Sequence, residues 1–208
     1  MISRRHLLAA APAILAKPAL AQEPAPVPKL PEVHYDPLVP VLGNPQGDVT
    51  IVEYFDYQCG VCKRMHPLLL DVVAKDGQIR LVMRDWIIFG EGSHYAAQVA
   101  LGAQALGRYL EVHLALMATG SQLSKGDVFA ALSAIGLTPA SALAAYREKA
   151  GAYEALLLRN DAQAMGFGFR GTPSFVIGNA VYPGAFQSRE DMVQAVAEAR
   201  ARQNPSAV

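Results

Sequence analysis

At 208 residues the chain is sized for one domain with room for a subdomain, and its formal net charge is zero. Only 17% of the residues are charged and they form no basic cluster, which argues against the phosphate-binding surface that a nucleic-acid partner needs. The 52% hydrophobic content is enough to bury a core.

The opening stretch, MISRRHLLAAAPAILAKPALAQ, has a basic start at Arg4 and Arg5, an apolar run from Leu7 to Ala16 and an A-x-A-like site at Ala19-Leu20-Ala21. It reads as an export signal over residues 1–21, with an apolar run too short to span a bilayer as a mature helix. SRRHLL also has the form of a twin-arginine signal, an ordinary secretory signal being the alternative. Either route predicts export, and a periplasmic location is expected. Residues 22–47 form a proline-rich N-terminal segment. Its stretch EPAPVPKLPEVHYDPLVP predicts an extended tether, or an arm that meets another subunit, because proline removes amide donors and restrains its neighbours.

Residues 48–92 read as a β-α-β unit. VTIVEYF has the β-branched and aromatic content of a buried strand. A helix is predicted from near Cys59 to a C-cap at Gly77, kinked at Pro67, and IRLVM returns as a parallel strand. Residues 93–166 read as helical: an Ala/Leu-rich helix capped by Ser93, then SKGDVFAALSAIG bounded by Gly136, TPASALAAYREKAG capped by Thr138, and YEALLLRNDAQAMG. Over residues 167–208 the period switches. PSFVIG and AVYPG are predicted strands joined by a tight turn at Gly178-Asn179, and SREDMVQAVAEARAR closes as a helix capped by Ser188.

The chain has two cysteines, Cys59 and Cys62, with only Gly60 and Val61 between them. A structural disulfide stabilises mainly by closing a long loop in the unfolded chain, and this ring is too small to restrict much. The pair therefore reads as chemistry. Cys59 is placed at the start of the predicted helix, where unpaired amides and the positive dipole end lower a thiol pKa. The thiolate is the attacking species in disulfide exchange, so Cys59 is the expected nucleophile. Cys62, one turn inside, is the expected resolving thiol.

YFDYQCGVCKRMHP, together with GTPSFVIG, RDWIIFG, VYPGAF and the order of elements, resembles the DsbA-like thiol–disulfide oxidoreductases of the thioredoxin superfamily, over about residues 47–202. The resemblance implies an α/β fold with a thioredoxin-like core, β-α-β then β-β-α on a mixed sheet, and an inserted helical domain. It implies catalysed disulfide exchange with envelope proteins that carry thiols or disulfides. A membrane redox partner, either a quinone-linked oxidase or a membrane reductase, would set the direction. No cofactor is required, because the dithiol is the redox centre. A reductase or isomerase is the alternative within this class.

The resemblance also assigns residues. Glu53 matches an inward-facing acid that accepts the proton of the resolving cysteine; a solvent-facing strand glutamate is the alternative. Pro173 matches a cis-proline, with the amide and carbonyl of Thr172 pairing with an extended substrate; the alternative is a trans turn after Gly171. Val61 stands where strongly oxidising relatives carry histidine, which implies a weaker oxidant. Lys63 and Arg64 read as a solvated helix face, with partial compensation for that missing histidine as the alternative. From a different class, the same thiols could serve a metal-binding or chaperone-like protein, with His66 on the face of Cys62. No fourth zinc ligand has matching spacing, and no metal is expected. His34, His94 and His113 read as scattered core or surface histidines.

Overall fold

The computed structural model describes residues 26–203, and the export signal expected over residues 1–21 lies outside them. In chain order the elements are α1 (Leu30–His34), β1 (Val41–Gly43), β2 (Val49–Phe55), α2 (Gly60–Asp76), β3 (Ile79–Asp85), α3 (Glu91–Ala105), α4 (Tyr109–Met117), α5 (Lys125–Ser133), α6 (Pro139–Glu148), α7 (Ala150–Gly166), β4 (Ser174–Ile177), β5 (Ala180–Pro183) and α8 (Arg189–Gln203). The strands form one sheet in the order β1-β3-β2-β4-β5.

The middle strand, β2, is buried along its whole length, as its run of apolar residues requires. It pairs in parallel with β3, from Val49 opposite Ile79 to Phe55 opposite Asp85. Parallel neighbours need a crossover, and α2 supplies it. On its other side β2 runs antiparallel to β4, and β4 turns into β5 through two residues, with Gly178 at φ +58°. The result is the mixed sheet and the β-α-β, helical block, β-β-α order implied by the sequence. Both outer strands are short, three residues in β1 and four in β5, and β5 ends on Pro183.

The two faces of β2 enter different cores. Val49, Ile51 and Phe55 pack with Leu69 and Val73 of α2 and with Met192 and Val196 of α8. Val52 and Tyr54 pack with Val33 of α1 and with Leu156 and Ala164 of α7. Side chains alternate along a strand, so Glu53 belongs to the face that meets α2. α2 continues through Pro67 and ends at Gly77 in the left-handed conformation, φ +69°.

The helical block departs from the sequence reading in two places. The Ala/Leu-rich stretch is two helices, because Gly107 takes φ +69° and breaks the run between α3 and α4. Ser93 is not a cap. α3 begins two residues earlier, after Gly90, and the Ser93 hydroxyl is buried against Asp56 instead. The caps at Ser124 and Thr138 form, the first as a complete capping box with Asp127. α3 and α6 approach so closely that a Cβ on Gly102 would overlap the Ala142 carbonyl.

The larger correction concerns the proline-rich segment. Its described part is no tether: α1 buries Val33, β1 pairs antiparallel with β3, and Val39 is buried between them in sequence. Two arginines of β3 hold it. Arg84, fully buried, donates from Nε (3.1 Å) and Nη2 (2.7 Å) to the Val33 carbonyl and from Nη2 to the Glu32 carbonyl (2.8 Å). Arg80 donates to the His34 carbonyl (2.5 Å). These carbonyls are left unpaired by a five-residue helix, and the guanidinium groups satisfy them. Arg84 also donates to Asn160 Oδ1 (2.7 Å), whose amide donates to the Asp85 carbonyl (3.0 Å). Composition identified the prolines but not the arginines waiting 50 residues downstream. Replacing Arg84 with Met should cost about 3 kcal/mol in urea denaturation by stranding several buried carbonyls, and the segment around α1 should become the first site of limited proteolysis.

Candidate active site

The site is built on the turn between β2 and α2. Asp56 accepts at Oδ1 from the Gln58 amide (2.7 Å) and the Ser93 hydroxyl (2.5 Å), and at Oδ2 from the amides of Ile88 (2.9 Å) and Phe89 (3.2 Å). Its carbonyl accepts from the Cys59 amide (3.0 Å). Gln58 spans the same junction: Nε2 donates to the Phe89 carbonyl (2.8 Å) and the Ser93 hydroxyl (3.0 Å), and Oε1 accepts from the Leu123 amide (2.8 Å). One turn thereby gathers the loop after β3, the first turn of α3 and the loop after α4. The sequence reading quoted Asp56 and Gln58 without giving them a role. An aspartate ahead of a helix start, two residues before a free amide, was the available signal.

This turn makes Cys59 the N-cap of α2, in extended conformation, with Sγ accepting from the Cys62 amide at 3.2 Å. As a thiol, the same sulfur reaches the Thr172 carbonyl at 3.2 Å. Its pKa is drawn down to about 6, chiefly by the hydrogen bond with the Cys62 side chain, against an opposing effect of burial and with help from Thr172 and the amides of Cys62 and Val61. Cys62 is pushed strongly the other way by burial, then by the hydrogen bond with Cys59 and by the Glu53 charge. Cys59 keeps 3% of its surface and Cys62 none. The two sulfurs are therefore unequal at neutral pH: the outer one ionises and the inner one stays protonated.

Glu53 is fully buried, and both carboxylate oxygens lack a partner among the described residues. Burial, with the Cys59 charge adding to it, raises its pKa to about 8. The strand glutamate thus faces inwards rather than into solvent. The Thr172-Pro173 bond is cis. Ser174, which the sequence reading passed over, secures that loop by donating to the Gly171 carbonyl (2.7 Å) and accepting from the Gly184 amide (3.2 Å). Val61 lies half-exposed between the cysteines.

His113, read as scattered, joins His66 in the core beneath the first turns of α2. Their ring centroids are 4.7 Å apart, and His113 Nδ1 pairs with the Tyr57 hydroxyl at 2.9 Å. Burial lowers both pKa values, to about 4 for His66, which keeps the pair neutral. No group of three or more His, Cys, Asp or Glu side chains among the described residues is arranged to hold a metal ion. Lys63 is not a solvated residue either: its Nζ donates to the Leu116 carbonyl (2.7 Å) and the Thr119 hydroxyl (2.9 Å).

The profile of the Thioredoxin family matches residues 37–198, which include the dithiol, Glu53 and the cis-proline. The chain belongs to this family. Among solved structures, this thioredoxin-family chain is similar to a thioredoxin-like oxidoreductase from Silicibacter pomeroyi DSS-3, at 38% identity over 83% of this chain and 98% of that one, with a TM-score of 0.78. It is also similar to the thiol-disulfide exchange protein alpha-DsbA2 from Wolbachia pipientis (25% identity, 80% and 90% coverage, TM-score 0.74). A periplasmic thioredoxin-like protein from Salmonella enterica serovar Typhimurium aligns at 25% identity over 83% and 95% of the two chains, with a TM-score of 0.73. No match is found among curated proteins. Together with the C-x-x-C dithiol, the family membership makes this thioredoxin-family protein a DsbA-like thiol–disulfide oxidoreductase.

The Glu53 carboxyl gives a pH signature. Its folded pKa is raised, so its contribution to stability is complete below about pH 4.5 and is lost as pH rises through about 8. Glu53→Gln removes that loss. Relative to the native chain in the reduced state, the variant should gain on the order of 1–4 kcal/mol between pH 4.5 and 8, read from urea denaturation at the two ends of the range.

Proposed function

We propose that the protein is an exported enzyme that exchanges disulfides with envelope proteins through Cys59 and Cys62. The observation that carries this reading is the Cys59 sulfur at the mouth of α2, accepting from the Cys62 amide at 3.2 Å and lying 3.2 Å from the Thr172 carbonyl. In the oxidising direction, a substrate thiolate attacks Sγ of Cys59 in the Cys59–Cys62 disulfide. The S–S bond breaks and Cys62 leaves as a thiolate, taking a proton from the protonated Glu53 carboxyl. A second substrate thiolate then attacks the substrate sulfur of the mixed disulfide. Substrate is released oxidised, and Cys59 departs as the thiolate that its position favours. In the reducing direction the steps reverse, and the Glu53 carboxylate accepts the Cys62 proton.

The backbone of Thr172, ahead of Pro173, would pair with an extended substrate segment beside the sulfur, a short stretch of β-augmentation. Residues 1–21 would direct export to the periplasm, by the twin-arginine route if Arg4 and Arg5 are read as such. No helix among the described residues is long and apolar enough to cross a membrane. Electrons would pass to or from a membrane redox partner, an oxidase linked to quinone or a reductase. The thioredoxin-like core would comprise residues 48–92 and 167–208, with residues 93–166 as its insertion.

Cys59→Ser should abolish insulin reduction while leaving the far-UV circular dichroism spectrum intact, and Cys62→Ser should accumulate mixed disulfides with disulfide-bearing client proteins, because the Cys59 thiolate attacks the client disulfide and no resolving thiol displaces it. Full activity in Cys59→Ser would overturn the assignment. Val61 offers the Cys59 thiolate neither charge nor a side-chain hydrogen bond, so the disulfide should be a moderate oxidant. Val61→His should shift its equilibrium with glutathione about tenfold towards the reduced dithiol, close to 30 mV.

A further inference from the structure

Lys63 follows Cys62 directly, and its amide donates to the Cys59 carbonyl at 3.1 Å, so it belongs to the same first turn of α2 as both thiols. A lysine in that place on a free helix surface would extend into water. Here the side chain runs across to α4 and is half-buried. Its ammonium donates to the Leu116 carbonyl (2.7 Å) and the Thr119 hydroxyl (2.9 Å), and that hydroxyl in turn donates to the same carbonyl (2.6 Å). Leu116 lies in the last turn of α4, where the helix leaves carbonyls unpaired and its dipole is negative. A cation is therefore both partnered and electrostatically favoured at this spot.

The loop that supplies Thr119 is itself fixed to the active-site turn. The Leu123 amide donates to Gln58, and the Ser121 hydroxyl lies so near Gly60 that a Cβ there would stand 3.0 Å from it. The ammonium is consequently not a mobile surface charge, and less of its field is lost to solvent.

We propose that Lys63 is a positioning residue of the exchange reaction, whose ammonium, anchored at the end of α4, holds a fixed positive charge next to the Cys59–Cys62 pair and favours the reduced, thiolate-bearing state over the disulfide. This rests on the exchange reading of the dithiol. The titratable groups around Lys63 are Asp56 in the preceding turn, Cys59 and Cys62 along α2, and His113 on α4 with His66 beside it; Glu53 on β2 acts on the cysteines. The two histidine rings are neutral at pH 7 and Asp56 is committed to four donors, while Lys63 follows Cys62 directly and stands four residues after Cys59 on the same turn of α2. Arg64, the next basic residue, is exposed and turns towards Gly60. Burial lowers the Lys63 pKa to about 8, with the Asp56, Cys62 and Cys59 charges opposing, so it carries its proton at neutral pH.

The chemistry balances simply. Reduction adds two electrons and one proton to the disulfide, leaving Cys59 as thiolate and Cys62 as thiol, and the nearby cation stabilises the product that bears the negative charge. It is the charge that Val61 fails to supply from the other side of Cys62.

The test uses the full chain with three substitutions. Lys63→Met should raise the midpoint of the pH profile for Cys59 alkylation by iodoacetamide by about half to one unit, and should move the glutathione equilibrium roughly three- to tenfold towards retained disulfide. Lys63→Arg, which keeps the charge, should restore both readouts to within about twofold of the native chain. Thr119→Val removes one anchor and leaves the charge and the Leu116 carbonyl, so it should lower thermal stability without moving the profile. If Lys63→Met and Thr119→Val lower stability alike and neither shifts the profile or the equilibrium, Lys63 is only a tie between two helices and the proposal falls. Failure of the native chain to exchange with insulin would instead defeat the functional reading, since the alkylation midpoint needs no protein substrate.

Discussion

An anion at the start of α2 is what the rest of the molecule is arranged around. The first turn of a helix has amides with no carbonyl to meet, and here one of them, from Cys62, is aimed at the Cys59 sulfur. The arrangement works only if residue 59 is the last non-helical residue, and that boundary is drawn by Asp56. By accepting four hydrogen bonds this carboxylate fixes where the strand ends and where the helix can begin. A shift of one residue would place Gly60 at the cap and carry the sulfur away from the Thr172 carbonyl.

The same carboxylate explains why an inserted helical block is compatible with a reactive centre. Ser93, Ile88 and Phe89 all come from the insertion or its entry, and all of them terminate on Asp56. Gln58 and Lys63 make the reciprocal links to the loop after α4. These particular links between the block and the core all end within four residues of a cysteine. Beneath them, the neutral His66–His113 pair and Tyr57 fill the core with groups that can accept or donate without carrying charge. An ionised group there would compete with the thiolate for the few available dipoles.

Much of the fold was legible because its signals were local. β2, β3, β4 and β5 announce themselves by β-branched runs and turn glycines, and α5 and α6 by their caps at Ser124 and Thr138. The two cysteines fixed the start of α2, and the resemblance pointed to the inward Glu53 and the cis bond at Pro173. What escaped detection depends on pairs far apart in sequence. Ser93 looks like a cap until Asp56 is brought beside it. Lys63 looks solvated until the end of α4 arrives, and the α1 segment looks like a tether until Arg80 and Arg84 reach its carbonyls. In each case local propensity was overruled by a buried polar group that had to find a partner. The division of α3 from α4 is the exception: Gly107 was visible, but a lone glycine in an Ala/Leu-rich run is compatible with an unbroken helix.

The brevity of the outermost strands has a consequence for the proposed exchange with extended protein clients. An extended polypeptide held against the dithiol is also a candidate to zip onto any exposed ladder of free amides and carbonyls. β1 offers only three residues, the last of them Gly43, and β5 closes on Pro183, which has no amide to give. A client that strays to the rim of the sheet finds too little template to stay. On the proposed reading its durable backbone contact would be confined to the place where sulfur can release it, and the catalyst would be spared from co-precipitating with the chains it services.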